Sequence, residues 1–247
     1  MSSEQFVCTM AGMKKAVVVA LLGLLLAASA GCTDDEPTVS DSVAVYLVRE
    51  GRVATVRRVV DDPTSSSAAD AVVALSAGPT AEERAAGYTT SLPDDVRVEV
   101  ADGRATVDVE VSELGAAQLV NTLSQFPDVN RIVIDGEELS RQDVEDETPQ
   151  IVIESPLDGD TVSSPIRLSG TANVFEATVS IEVKDATGTV VLEAFTTATS
   201  GTGTRGTFDT ELVLPQGSGT MTIVAFESSA KDGTPLHETD VQVTVEP

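Results

Sequence analysis

The 247-residue chain has no tryptophan, one histidine and two cysteines. Aromatic residues make up 3% of it, so large aromatic side chains cannot fill its core. Many Val, Thr, Ala and Gly residues stand in their place, which suits small β-rich domains better than a large enzyme core. Basic residues are scarce as well: 15 Lys and Arg face 40 Asp and Glu, a formal net charge of −25. Such a chain is soluble and is repelled by nucleic-acid phosphates, so nucleic acid is excluded as a partner. The lone histidine, His237, sits beside Glu238. A hydrolase triad needs a nucleophile and an orienting acid converging on its base, and nothing in the sequence places a serine at His237. An exposed turn histidine is the plainer reading.

The two cysteines are Cys8 and Cys32. Between them, Lys14 and Lys15 precede an apolar run over 16–28, and Ser29, Ala30 and Gly31 lead into Cys32. Positive start, short apolar core and small-residue exit are the parts of an export signal. The run is short of the ~20 residues that span a bilayer comfortably. The segment resembles a bacterial lipoprotein signal, which implies cleavage between Gly31 and Cys32 and diacylglycerol on the Cys32 sulfur. One position departs from that family's pattern: Ser29 stands where leucine is preferred. Residues 1–31 are therefore expected to be a signal peptide, with Met13 or Met10 as the expected true start. Processing removes Cys8 and leaves Cys32 alone, so the mature chain has no internal disulfide and no cysteine metal site. It also removes Glu4, Lys14 and Lys15, making the net charge one unit more negative. Lipid rather than basic residues must then hold the protein to an anionic membrane, on the extracytoplasmic face. Residues 32–41 read as a lipidated, acidic tether.

Residues 42–140 form one unit. Two strand-like runs, 42–50 and 52–60, flank Gly51 as a hairpin. Ser66 or Ser67 can cap a helix whose apolar stripe is Ala68, Ala71, Val72 and Leu75. Gly78-Pro79 stops it, and Thr80 to Glu83 has the capping-box pattern. Two alternating runs over 96–111 flank Asp102-Gly103, a pair that accepts the positive φ of a type I′ turn. Ser112 caps a helix with the stripe Ala116, Leu119, Val120 and Leu123, ended by Pro127. A last strand spans 131–136. The order ββα(α)ββαβ is an α+β layer with helices on a small sheet.

Residues 141–149 read as an acidic linker, and the period then changes. Seven strands are expected over 150–247: 150–154, 161–170, 177–184, 189–197, 205–214, 219–228 and 238–245. Turn residues separate them and no helical period intervenes, the pattern of an all-β immunoglobulin-like sandwich. With neither a Cys pair nor Trp, it is not a disulfide-pinned antibody-type domain.

Both halves resemble known families. Residues 43–137, through "VAVYLV", "ALSAGPTAEERAAGYTTSLP", "DGRATVDV" and "AQLVNTLSQFPDVNRIVIDGE", resemble the GerMN domain of sporulation and germination proteins. Residues 151–245, through "ESPLDGDTVSSPIRLSGTANVFEATVSIEV", "RGTF" and "FESSAKDGTP", resemble the immunoglobulin-like domain of bacterial spore germination proteins. The resemblance implies a non-enzymatic envelope protein working through contacts with an envelope protein or the cell wall, with homo-oligomers kept open. Neither family implies a catalytic residue, a metal or a cofactor.

The remaining motifs are weighed individually. Residues 201–206 spell G-x-G-x-x-G, but a dinucleotide fingerprint needs a helix after it and a strand-like run follows instead. Glu145, Asp146 and Glu147 with Asp158, Asp160 and Asp232 offer hard oxygen ligands for calcium, set against a solvated acidic surface. Asp108 and Glu110 share one strand face, which suits solvent more than a glycosidase pair. Phe175, Glu176, Asp232 and Gly233 form a candidate binding surface on the sandwich loops. The alternative envelope role is a binding module for a small ligand or peptidoglycan fragment; an undetected hydrolase ranks below it.

Cys32→Ser is expected to release the protein from membranes into the soluble fraction. Fractionation with immunodetection checks this, and full membrane retention of the variant would place the anchor elsewhere.

Overall fold

The computed structural model describes residues 42–59, 68–214 and 218–246. Gly31, Cys32, the signal, the whole tether and the expected caps Ser66 and Ser67 lie outside the described residues.

β1 (Ser42–Arg49) and β2 (Arg52–Val59) pair antiparallel, and Arg49 faces Arg52 across a two-residue turn. Glu50 and Gly51 there have φ of 52° and 77°, the left-handed geometry such a turn needs. α1 (Ala68–Ser76) buries Ala68, Ala71, Val72 and Leu75, the stripe read from the sequence. α2 (Ala81–Ala85) opens with a full capping box: Glu83 N–H donates to Thr80 Oγ1, and Thr80 N–H donates to the Glu83 carboxylate.

β3 (Glu99–Ala101), β4 (Arg104–Val107), β5 (Arg131–Ile134) and β6 (Glu137–Leu139) form a second sheet in that order. Its central pair β4–β5 is parallel, and α3 (Glu113–Leu123) lies in the crossover between them. Asp102 and Gly103 take φ of 51° and 77° between β3 and β4, as their pairing requires. The N-terminal half thus has two sheets where one was expected. It also has one strand more, because Asp135-Gly136 makes another left-handed turn and folds Glu137–Leu139 back on β5. The polar stretch Glu137-Glu138 hides this edge strand from a search for apolar alternation.

α3 departs further from its expected stripe. Leu119, Val120 and Leu123 are buried, but so are Gln118, Asn121 and Thr122. β1 explains this. Its outer edge has no strand partner, and α3 supplies one from side chains. Gln118 Nε2 donates to the Tyr46 carbonyl (2.8 Å), Tyr46 N–H donates to Thr122 Oγ1 (3.1 Å) and Gln125 Nε2 donates to the Ala44 carbonyl (2.6 Å). A two-way bridge between Val48 and Thr89 finishes the edge. Buried backbone groups must be paired, and here helix amides do what a third strand would.

The C-terminal half is a two-sheet sandwich of β7 (Ile151–Ser155), β8 (Thr161–Ser163), β9 (Ile166–Ala172), β10 (Thr178–Asp185), β11 (Val190–Thr197), β12 (Gly206–Leu212), β13 (Gly219–Ser228) and β14 (Pro235–Glu246). One sheet has the order β11-β10-β13-β14-β8 and the other β12-β9-β7. Eight strands replace the expected seven because the run 161–170 divides at Pro165. Proline has no N–H for a ladder, and the chain changes sheets there: β8 pairs parallel with β14, whereas β9 pairs with β7 and β12. Gly170, at the centre of β9, is required by packing rather than by its φ. A Cβ there would collide with the Val152 carbonyl and the Phe208 ring.

Candidate functional site

β7 belongs to two cores at once. Side chains of a strand alternate between its faces. Ile151 and Ile153 pack into the sandwich core, while Val152 packs into the core of the N-terminal half. All three are at most 4% exposed. The residues of the expected linker also fold against the first core: Val144 and Thr148 are buried, and Glu145–Glu147 form a 3₁₀ turn.

Hydrogen bonds finish this joint. Arg205, in the β11–β12 connection, has a side chain only 2% exposed. Its Nε donates to Glu145 Oε2 (2.9 Å) and its Nη2 to Glu145 Oε1 (2.7 Å), a bidentate pair. Further donations reach the Pro149 carbonyl (2.6 Å) and Thr171 Oγ1 (3.2 Å). Asn173 Nδ2 binds Glu145 as well, and Asn173 Oδ1 accepts from Gly203 N–H. Nearby, the buried Tyr46 hydroxyl donates to Glu154 Oε1 (2.6 Å), which also accepts from Arg141 Nη2 (2.8 Å). Burial, followed by the Glu154 charge, pushes the Tyr46 phenol well above its ordinary range. Thr148 ties the turn to α3: its hydroxyl donates to the Val144 carbonyl and accepts from Asn121 Nδ2. Arg52 donates to the Thr148 carbonyl and Thr55 to the Ile153 carbonyl.

The residues expected on a binding surface sit at one end of the five-stranded sheet. Phe175 and Glu176 occupy a 3₁₀ turn just before β10; Phe175 is 53% exposed and Glu176 has φ 53°. Asp232 and Gly233 lie in the turn joining β13 to β14. The Thr234 hydroxyl, then that of Ser229, holds the Asp232 carboxyl below its ordinary range. Ser180 on β10 faces Phe226 on β13, and its hydroxyl meets that of Ser228, so both turns leave the sheet at the same end. Phe208 instead fills the sandwich core.

Other candidates are dispersed. Glu145 is occupied by Arg205 and Asn173, Asp158 accepts from Gln242 N–H, and Asp160 accepts from Leu157 N–H and lies 3.4 Å from Arg57. Among the described residues no group of three or more His, Cys, Asp or Glu side chains could hold a metal. Asp108 and Glu110 line different surface depressions. His237 has φ 55°, and its Nε2 is 3.9 Å from Glu227 Oε2. The G-x-G-x-x-G string leads into β12, not a helix. Its Gly201 is needed because a Cβ would strike Ala177 N and the Val174 carbonyl. Arg205 lies within that string and was not legible as a site residue, since its partners are 34 to 60 positions away.

Residues 44–140 match the family model described as sporulation and spore germination. Residues 150–234 match the one described as immunoglobulin-like domain of bacterial spore germination. Together they relate the chain to spore germination proteins that carry an immunoglobulin-like domain. Among solved structures, the first GerMN domain of the sporulation protein GerM from Bacillus subtilis is similar at 25% identity, covering 40% of this chain and 85% of that one with a TM-score of 0.30. CopC from Methylosinus trichosporium OB3b is similar at 23% identity over 39% of this chain and 94% of that one, with a TM-score of 0.26. No curated protein matches the chain. Among the described residues no helix is long and apolar enough to cross a membrane.

Glu145→Ala is expected to strand the buried Arg205 guanidinium and to cost about 3 kcal/mol in urea unfolding. Arg205→Met in the same chain should recover part of that loss. Tyr46 gives a pH signature. Its folded pKa is raised, so its hydrogen bond contributes fully below the unfolded pKa of about 10 and is lost as pH rises above it. Stability should fall in that alkaline window, and Tyr46→Phe should make the fall shallower while costing about 1 kcal/mol at neutral pH.

Proposed function

We propose that this chain is a non-enzymatic, lipid-anchored protein of the cell envelope that acts through protein–protein contacts in a spore-germination-type assembly. Both domain matches support the relationship to germination proteins. The observation that carries the mode of action is the joint at β7. The most buried charged side chain there, Arg205, is spent on Glu145, and the Tyr46 hydroxyl is spent on Glu154. Groups placed this way brace two domains against each other. A catalytic set would instead converge on an open cleft with a nucleophile, base and acid in reach. The braced body is suited to presenting fixed surfaces, with the Cys32 lipid and the acidic tether setting its distance from the membrane.

A second reading, a binding module for a small ligand or peptidoglycan fragment, is favoured by a groove of about 600 Å³ between the β1–β2 hairpin and the sandwich. Arg49, Glu50, Arg52 and Tyr88 of the N-terminal half line it, with Asp158, Glu238 and Asp240 of the sandwich. Opposed charges across a groove suit a zwitterionic ligand.

Crosslinking in intact cells, followed by purification of the tagged protein from membranes, separates the two. A specific protein partner is the expected result. Co-sedimentation with isolated wall and no protein partner would favour the groove. Turnover of wall fragments that survives His237→Ala would overturn both.

A further inference from the structure

Among the described residues β11 is a long sheet edge that carries one charge and the most exposed aromatic side chain. Edge strands invite pairing and are normally blunted by shortness, charge or cover. Elsewhere the chain applies these devices. β3, β6 and β8 are three residues each. β1 is sealed by α3 side chains, and β7 by the N-terminal half. β12 carries exposed Asp209 and Glu211, with Arg167 bound to the former. β2, also eight residues long, carries Arg52, Arg57 and Arg58. β11 runs for eight residues at the end of its sheet; among the described residues its ladder partner is β10, and just past its end Thr199 N–H donates to the Thr207 carbonyl of β12.

Its backbone direction can be read from one hydrogen bond. Ala198 N–H donates to the Ala177 carbonyl on the β10 side. Alternation then turns the N–H and C=O groups of Glu193, Phe195 and Thr197 away from β10; Thr199, next in that alternation, donates to the Thr207 carbonyl of β12, so the edge is most open at Glu193 and Phe195. The same three side chains are exposed, whereas Leu192 and Ala194 pack against the sandwich core. Phe195 is 73% exposed, the highest value for a large apolar side chain among the described residues. Across β10 it faces Ser180.

Charge selects the occupant. Glu193 stands opposite Glu182, whose carboxylate is already bound to Lys184 at 3.0 Å. Among the described residues Glu193 has no ion-pair partner. Pairing of β11 with β11 of a second copy supplies no cation at that place. Antiparallel self-pairing centred on residue 193 sets Glu193 against itself; centring on 194 or 195 sets it against Phe195 or Thr197. The net charge of −25 opposes self-pairing further. A strand with lysine or arginine opposite Glu193 and an apolar residue two places away, opposite Phe195, satisfies every group.

We propose that the outer edge of β11 is a docking site for an extended segment of a partner protein, one carrying a basic residue two positions from an apolar residue. This deepens the protein-contact reading above and rests on it. The segment adds a sixth strand to the five-stranded sheet. Main-chain hydrogen bonds to Glu193, Phe195 and Thr197 supply the binding, and Glu193 with Phe195 supply the choice of sequence.

The test uses the full mature chain and a capped peptide of sequence Thr-Val-Lys-Val-Phe-Val-Lys-Val-Thr, followed by amide NMR. Saturable shifts centred on Glu193, Phe195 and Thr197 are expected. N-methylating the peptide at alternate residues should weaken binding about tenfold by removing main-chain donors. Replacing both lysines by glutamate should weaken it about fivefold, and Glu193→Lys in the protein should reverse that preference. Absence of saturable shifts, indifference to N-methylation, or a dimer in ultracentrifugation that Phe195→Ser abolishes would each overturn the proposal. In cells, a crosslinked partner lost with Glu193→Lys supports the edge. A partner retained by that variant overturns the edge and leaves the protein-contact reading standing; no partner for the unmodified protein removes that reading itself.

Discussion

The alternation of side chains along β7 constrains the rest of the molecule. A strand with one face in each of two cores cannot move with either domain alone. Ile151 and Ile153 commit it to the sandwich, and Val152 commits it to the N-terminal half. Swinging the domains apart would expose apolar surface on one side of the strand or the other, at about 25 cal/mol per Å². The residues leading into the strand are held in turn. Val144 and Thr148 are buried, so an acidic stretch that resembles a spacer in composition is folded against the core. The described residues form one compact unit for this reason.

Arg205 and Glu145 show how such a joint can be polar without being loose. A buried guanidinium is costly unless its donors are met. Here Glu145, Pro149 and Thr171 meet four donations. An apolar contact would hold equally well but would tolerate sliding, whereas a bidentate pair fixes orientation. α3 applies the same physics to β1. Its amides and hydroxyl bond the strand edge at fixed points, so the hairpin is locked in register against the helix without a neighbouring strand.

Local chemistry was legible in the sequence, and long-range partnership was not. Asp102-Gly103 announces its turn because positive φ is a property of those two residues. The α1 stripe and the Thr80–Glu83 capping box are likewise contained within a few positions. The strands of the sandwich were visible from turn spacing, apart from the break at Pro165. By contrast, Gln118, Asn121 and Thr122 look like the polar side of an amphipathic helix. The burial of Gln118 and Thr122 follows from an edge strand more than 70 positions away, and that of Asn121 from Thr148. Arg205 lies inside a glycine string whose spacing suggests nucleotide chemistry, and its role exists only because Glu145 is folded to it. β6 was hidden because a short edge strand needs no apolar alternation. At the candidate surface, Phe175 was legible as a loop aromatic, but Phe195 was not. A Phe in a β-strand is ordinarily core, and its exposure depends on β11 lying at the sheet edge.

That exposed end is not independent of the joint. The 201–205 loop that carries Arg205 also holds the turn bearing Phe175: Thr202 N–H donates to the Val174 carbonyl, and Gly201 packs against Ala177 N. Asn173, at the start of that turn, binds both Glu145 and Gly203. Ala198, which fixes the direction of the β11 edge, donates to Ala177 in the same turn. A continuous set of hydrogen bonds therefore runs from Glu145 through Arg205 and the 201–205 loop to the positions of Phe175 and Phe195. Because each link is short, the contacts that brace the two domains are joined to those that position the open edge. Arg205 thus stands where two sets of contacts meet: its side chain holds Glu145, Pro149 and Thr171, and its loop holds the turn beside the free strand.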